Sequence, residues 1–169
     1  MDKKIIIKGK KTFDKIQGVK PKRSSSKIWI ENDSLLNKKE QISNLNKLLL
    51  GIKYKDDKYV KKELERKLNS YKNQDIKKDK YSNDFINYQE LIEKLVISKL
   101  KCHYCRNKCL LMYENNREKS QWTLDRLNND LGHTTLNTVI CCLECNLKRG
   151  TLDDKKFKFT KQLKIIKKY

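Results

Sequence analysis

Four of the six cysteines in this chain fall in two CxxC pairs, Cys102 and Cys105 in "CHYC" and Cys142 and Cys145 in "CLEC". Tetrahedral zinc takes soft thiolate ligands at about 2.3 Å, and a two-residue spacer lets one tight knuckle present two of them at once. The spacing predicts a structural zinc site of Cys102, Cys105, Cys142 and Cys145. Metal binding there would add folding free energy to a segment with little core of its own. A redox pair and plain buried thiols are the competing readings, and the repetition of the motif weighs against the first. Cys141, in the apolar run "TVICCL", reads as core, and Cys109 is a weaker alternative ligand. His103 reads as a surface side chain, because four thiolates already fill the coordination sphere.

Between the pairs lies "TLDRLNNDLGHTTLN", with Asp125, Arg126, His133 and Asn137. Arginine is protonated at any working pH and cannot take a proton from water, but it can clamp a phosphate or stabilise charge in a transition state. An imidazole titrates near pH ~6.5 and is the usual proton acceptor. His133 is therefore a candidate base, with a packed loop histidine as the plainer alternative. Trp122 reads as core, or as an exposed edge on which a base could stack.

Several elements must position these residues. "NDSLLNKKEQISNLNKLLLGI" places leucines and isoleucines at helical steps from Asn32 to Ile52, and "KYVKKELERKLNSY" puts Val60, Leu64, Leu68 and Tyr71 on one narrow stripe. The second helix reads as a surface helix or an arm, and "KNQDIKKDK" after it as a linker. Asn87 and Glu90 suit a capping box, with Ile86 able to staple onto Leu91. Leu110 to Tyr113, Gln121 to Asp125 and Thr138 to Cys141 read as short strands, followed by a helix that starts after Cys145 and ends near Gly150. The tail "DDKKFKFTKQLKIIKKY" reads as a basic helix, with a short strand at "KFKF" as the alternative.

Lysine and arginine outnumber aspartate and glutamate by 41 to 21 over 169 residues, a net charge of +20. Such a field attracts polyanions, nucleic acid first, although a lysine-rich composition alone would give the same number. The N-terminus has too few consecutive apolar residues for a signal peptide, and no run reaches the ~20 needed to span a bilayer. The expectation is an intracellular, soluble chain without membrane partners, its oligomeric state open. Cysteines in that reducing setting suggest metal before disulfide.

The segment from Leu100 to Gly150, with "LDR", "GH" and "LNTVICCLECNLKR", resembles the HNH endonuclease family, and from Gln121 onward is similar to HNH proteins of large DNA viruses. The resemblance implies an α+β protein in which a helical N-terminal region precedes a zinc-stabilised ββα-metal finger. It implies Asp125 and Asn146 as ligands of a catalytic Mg²⁺ or Mn²⁺ ion, and Asn137 as the middle asparagine that orients the base. Arg126 falls where the general-base histidine normally stands. That leaves His133, a metal-bound water, or no catalysis at all. Oxygen donors suit a hard divalent ion, and such an ion can polarise a phosphodiester and stabilise the departing oxygen. Arg126, Lys148 and Arg149 are the expected phosphate contacts, with a cationic helix end as the alternative for the last two.

The organisation expected is a basic arm over 1–30, a helical extension over 31–80 that could touch DNA, and an HNH module over 81–169. The expected activity is metal-dependent hydrolysis of DNA, with RNA a lesser candidate. A zinc-containing nucleic-acid-binding protein without catalysis is the rival.

Overall fold

The computed structural model of the chain describes residues 16–17, 33–163 and 166. The arm expected over 1–30 lies outside the described residues, save for 16 and 17. Six helices and one two-stranded antiparallel sheet make up the described part, a mixed α and β architecture as expected. None of these helices is long and apolar enough to cross a membrane.

The helix expected from Asn32 to Ile52 is two helices, α1 (Asp33–Leu36) and α2 (Glu40–Leu49). Asn37 separates them: its carbonyl accepts from the backbone N–H groups of Glu40 and Gln41, and its side-chain oxygen accepts from that of Lys39. Side-chain bonding to nearby backbone is how asparagine competes with helix. Gln41 is buried at the start of α2, donates to the Leu35 and Met112 carbonyls and accepts from the Leu111 N–H. That side chain takes the bonds a strand ladder would use, so the strand expected at Leu110 to Tyr113 is reduced to one bridge between Leu110 and Gln121.

Helix α3 (Asp57–Lys77) runs well past the expected end at Tyr71. The stretch read as a linker forms its last turns, because it contains no glycine or proline to stop a helix. The chain leaves the helix only at Lys78 and Asp79, the latter with φ 55°. Its buried face is Val60, Glu63, Leu64, Lys67, Tyr71 and Asp75, so polar residues continue the stripe that apolar ones begin. Helix α4 (Tyr88–Ile97) has both bonds of the Asn87–Glu90 capping box, and Ile86 and Leu91 are fully buried.

Strands β1 (Trp122–Arg126) and β2 (Thr138–Cys142) pair antiparallel, with Trp122 opposite Cys142 and Asp125 opposite Val139. Helix α5 (Leu143–Arg149) follows directly, starting before Cys145 instead of after it, and ends at Gly150. Helix α6 (Asp154–Gln162) takes in the "KFKF" stretch, which is therefore helix and not strand, and is capped by the Asp153 side chain on the Lys156 N–H. Leu45, Leu64, Leu91, Leu95, Trp122 and Ile140 belong to one buried cluster. Helix α3 is bonded to β1: Lys67 donates to the Trp122 carbonyl, and the Leu124 N–H donates to the Tyr71 hydroxyl at 2.9 Å. Helix α3 is a wall of the fold, not an arm.

Candidate functional site

The Sγ atoms of Cys102, Cys105, Cys142 and Cys145 lie within 4.8 Å of one another. A zinc ion with four sulfurs at about 2.3 Å in a regular tetrahedron needs sulfurs about 3.8 Å apart, and Cys105 and Cys142 are 4.0 Å apart. The cluster therefore fits a metal ion such as zinc. The first knuckle closes through the Cys102 carbonyl accepting from the Arg106 N–H, with Arg106 at φ 64°. The second stands where β2 becomes α5, and Cys142 Sγ accepts from the Cys145 N–H at 3.4 Å as the helix N-cap. The His103 N–H donates to the Ile140 carbonyl and ties the first knuckle to β2. His103, Cys109 and Cys141 are not in the cluster. Cys141 is buried against the Thr123 hydroxyl.

Beside the cysteine cluster, a cleft of about 800 Å³ opens between α3, β1, the loop after β1 and α5. Asp125, Arg126, His133 and Asn146 all line it, together with Tyr71 and Lys78. Strand β1 fixes Asp125. Its Oδ2 accepts from the Tyr104 hydroxyl at 2.6 Å, and its Oδ1 accepts from Arg149 Nη1 at 3.1 Å. Burial raises the Asp125 carboxyl above its ordinary value against the pull of both partners. Burial and the Asp125 carboxylate push the Tyr104 phenol well up, so it remains a donor.

Arg149, expected at the phosphates, is turned inward and only 2% exposed. Its guanidinium is committed to Asp125 and to the Leu127 and Gly150 carbonyls. A buried carboxylate next to a helix C-terminus needs a cation, and that demand decides where the arginine points. Lys148 is exposed and pairs with Glu144 one turn back.

Asn146 on α5 donates from Nδ2 to the Thr123 hydroxyl at 3.1 Å, which leaves Oδ1 as its free ligand atom. Asn137 is buried and braces the loop between the strands: Nδ2 donates to the Asn128 and Gly132 carbonyls, and Oδ1 accepts from the Asn128 N–H. It acts on the backbone that carries His133, not on the imidazole.

His133 is 3% exposed. Its N–H donates to Asp75 Oδ2 at 2.6 Å, its Nδ1 lies 2.8 Å from Asp75 Oδ1, and its ring is 4.9 Å from that of Tyr71. Burial lowers the imidazole below its ordinary value, against the raising effect of Asp75. Arg126 donates to the Leu131 carbonyl and stands 3.7 Å from Asp75 Oδ1. Asp75, Tyr71 and Tyr104 are the site residues that sequence reasoning missed. Tyr71 was visible as part of a stripe, Tyr104 lies inside the first CxxC, and Asp75 sits among lysines in apparent linker.

Searches against protein families, curated proteins and solved structures found no match to this chain.

Proposed function

We propose that the chain is a metal-dependent endonuclease of the HNH type, hydrolysing DNA phosphodiester bonds in the cleft between α3, β1 and α5. One observation carries this reading: a carboxylate, an amide oxygen and an imidazole, those of Asp125, Asn146 and His133, line the same cleft of a strongly basic chain. Oxygen donors suit a hard ion, so Asp125 and Asn146 would hold Mg²⁺ or Mn²⁺, which when bound polarises the phosphodiester and stabilises the departing oxygen. His133, kept neutral by burial, takes a proton from water as the oxygen of that water forms a bond to phosphorus and the P–O bond to the leaving group breaks. Arg126, which lines the same cleft, balances charge on the phosphate. The cysteine cluster with structural zinc holds β2 and α5, and so Asn146, in place.

One observation favours a second reading, in which the chain binds nucleic acid without cutting it. Both oxygens of Asp125 already accept hydrogen bonds, from Tyr104 and from Arg149, as a purely structural carboxylate would. Supercoiled plasmid separates the two. Zinc-loaded protein with Mg²⁺ or Mn²⁺ should nick or linearise it, and Asp125→Ala should abolish cutting. Uncut plasmid, with binding that weakens steeply as salt rises, establishes the binding-only reading instead.

A further inference from the structure

Asp75 is a fully buried carboxylate, and each of its two oxygens meets a nitrogen of His133. Oδ2 takes the backbone N–H of His133 and Oδ1 faces its ring at Nδ1. It reaches His133 from the last turns of α3, far from the loop in sequence. We infer that Asp75 is the positioning residue of the proposed base: it holds His133 in the tautomer protonated at Nδ1, leaving Nε2 bare toward the cleft. The inference rests on the nuclease reading for its catalytic consequence, but not for the tautomer itself.

The chemistry of the pair supports the assignment. A carboxylate only accepts, so the short contact to Nδ1 requires the proton to sit on that nitrogen. Among the described residues Nε2 has no hydrogen-bond partner, and the ring lines the cleft. Burying a carboxylate is costly unless donors surround it, and here the two His133 donors and the nearby Arg126 guanidinium meet that need. Tyr71 limits rotation of the ring from one side. Burial is the largest influence on the His133 ring, and the groups that face it are Asp75 and Tyr71 from α3, Lys78 just past the end of that helix, and Arg126 from β1.

A loop brace and a tautomer lock make different demands on Asp75, and Asp75→Asn separates them. The backbone N–H of His133 can only donate, so the asparagine must turn its oxygen there and present its NH₂ to Nδ1. Nδ1 then accepts and the proton moves to Nε2. The brace survives while the base is capped.

The test is ¹⁵N NMR of the zinc-loaded full chain, in which His103 is the only other histidine, joined to plasmid cleavage across pH. In the wild type the His133 signal should be that of a neutral ring protonated at Nδ1, and in Asp75→Asn that of a ring protonated at Nε2. Turnover in the variant should fall by about 10²-fold or more, with KM little changed and zinc content retained. A wild-type ring protonated at Nε2 overturns the inference, as does a variant that exchanges tautomer yet keeps wild-type turnover and pH profile. If the wild type cuts no plasmid the nuclease reading fails, and the wild-type NMR spectrum still decides whether Asp75 fixes the ring.

Discussion

Arg149, at the last turn of α5, and Asp125, near the end of β1, form an ion pair of 3.1 Å with side chains 2% and 8% exposed. The pair joins β1 to the C-terminal turn of α5. Removing one partner of such a pair leaves a buried charge uncompensated. Arg149→Met should therefore destabilise the fold by about 3–5 kcal/mol in urea denaturation. Adding Asp125→Asn to the same protein should recover part of that loss, and a single variant as stable as the wild type would show that the pair is not closed in solution.

Gly132 lies against the chain leaving α3. A Cβ built there comes within 2.2 Å of the Lys80 carbonyl oxygen, a backbone atom that cannot rotate away. Gly132→Ala should cost about 1–3 kcal/mol, as overpacking does elsewhere, and should raise amide exchange across the loop that holds His133. Unchanged exchange would mean that the two segments are not in contact.

The four cysteines should bind one metal ion per chain, measured by elemental analysis of the purified protein. Structural zinc is worth about 10 kcal/mol or more to small domains. Chelation should therefore unfold the first knuckle and the start of α5, and Cys145→Ser should lose both metal and melting temperature. Metal-free protein with an unaltered melt would remove the centre from the folding account.

Stability should fall with acid in two stages of the same sign. Burial lowers the His133 imidazole below its ordinary 6.5. Burial acts to raise the Glu63 carboxyl, but the Arg66 guanidinium and the Tyr113 hydroxyl outweigh it and hold Glu63 below its ordinary 4.5. In each case the folded form binds its proton less readily than the unfolded form. The stabilisation is present above the unfolded value and is lost as pH falls through the folded one. Urea midpoints from pH 8 to 3 should show less acid loss above about pH 5 in His133→Asn and less below it in Glu63→Gln, each compared with the wild type so that acid loss of metal cancels. Parallel curves for all three proteins would refute the assignment.

The parts of this fold that were legible in sequence are those with local chemistry. A CxxC brings its own ligands together, Asn87 and Glu90 meet within one turn, and the run from Thr138 to Cys141 is β-branched and apolar enough to read as a strand, which the structure extends by one residue to Cys142. The parts that were not legible depend on side chains bonding across distance. Gln41 and the segment at Met112 are joined through one amide, and nothing in "LLMY" announces that a glutamine will take its ladder bonds. The buried face of α3 was misread for the same reason: periodicity counts apolar residues, and this face is half polar. Glu63 takes Arg66 and Tyr113, Lys67 lies 4.4 Å from the Trp122 ring centroid, and Asp75 takes His133. The cysteine cluster was foreseeable from its spacing, and the inward turn of Arg149 required knowing that Asp125 would be buried.

The polar face of α3 also decides what can be cut from this chain and moved. A fragment beginning at residue 81 would keep every cysteine and both strands, yet it would expose Trp122 and strip His133 of its carboxylate. The smallest transplantable unit starts no later than Asp57, with the helix counted as part of the cleft it walls.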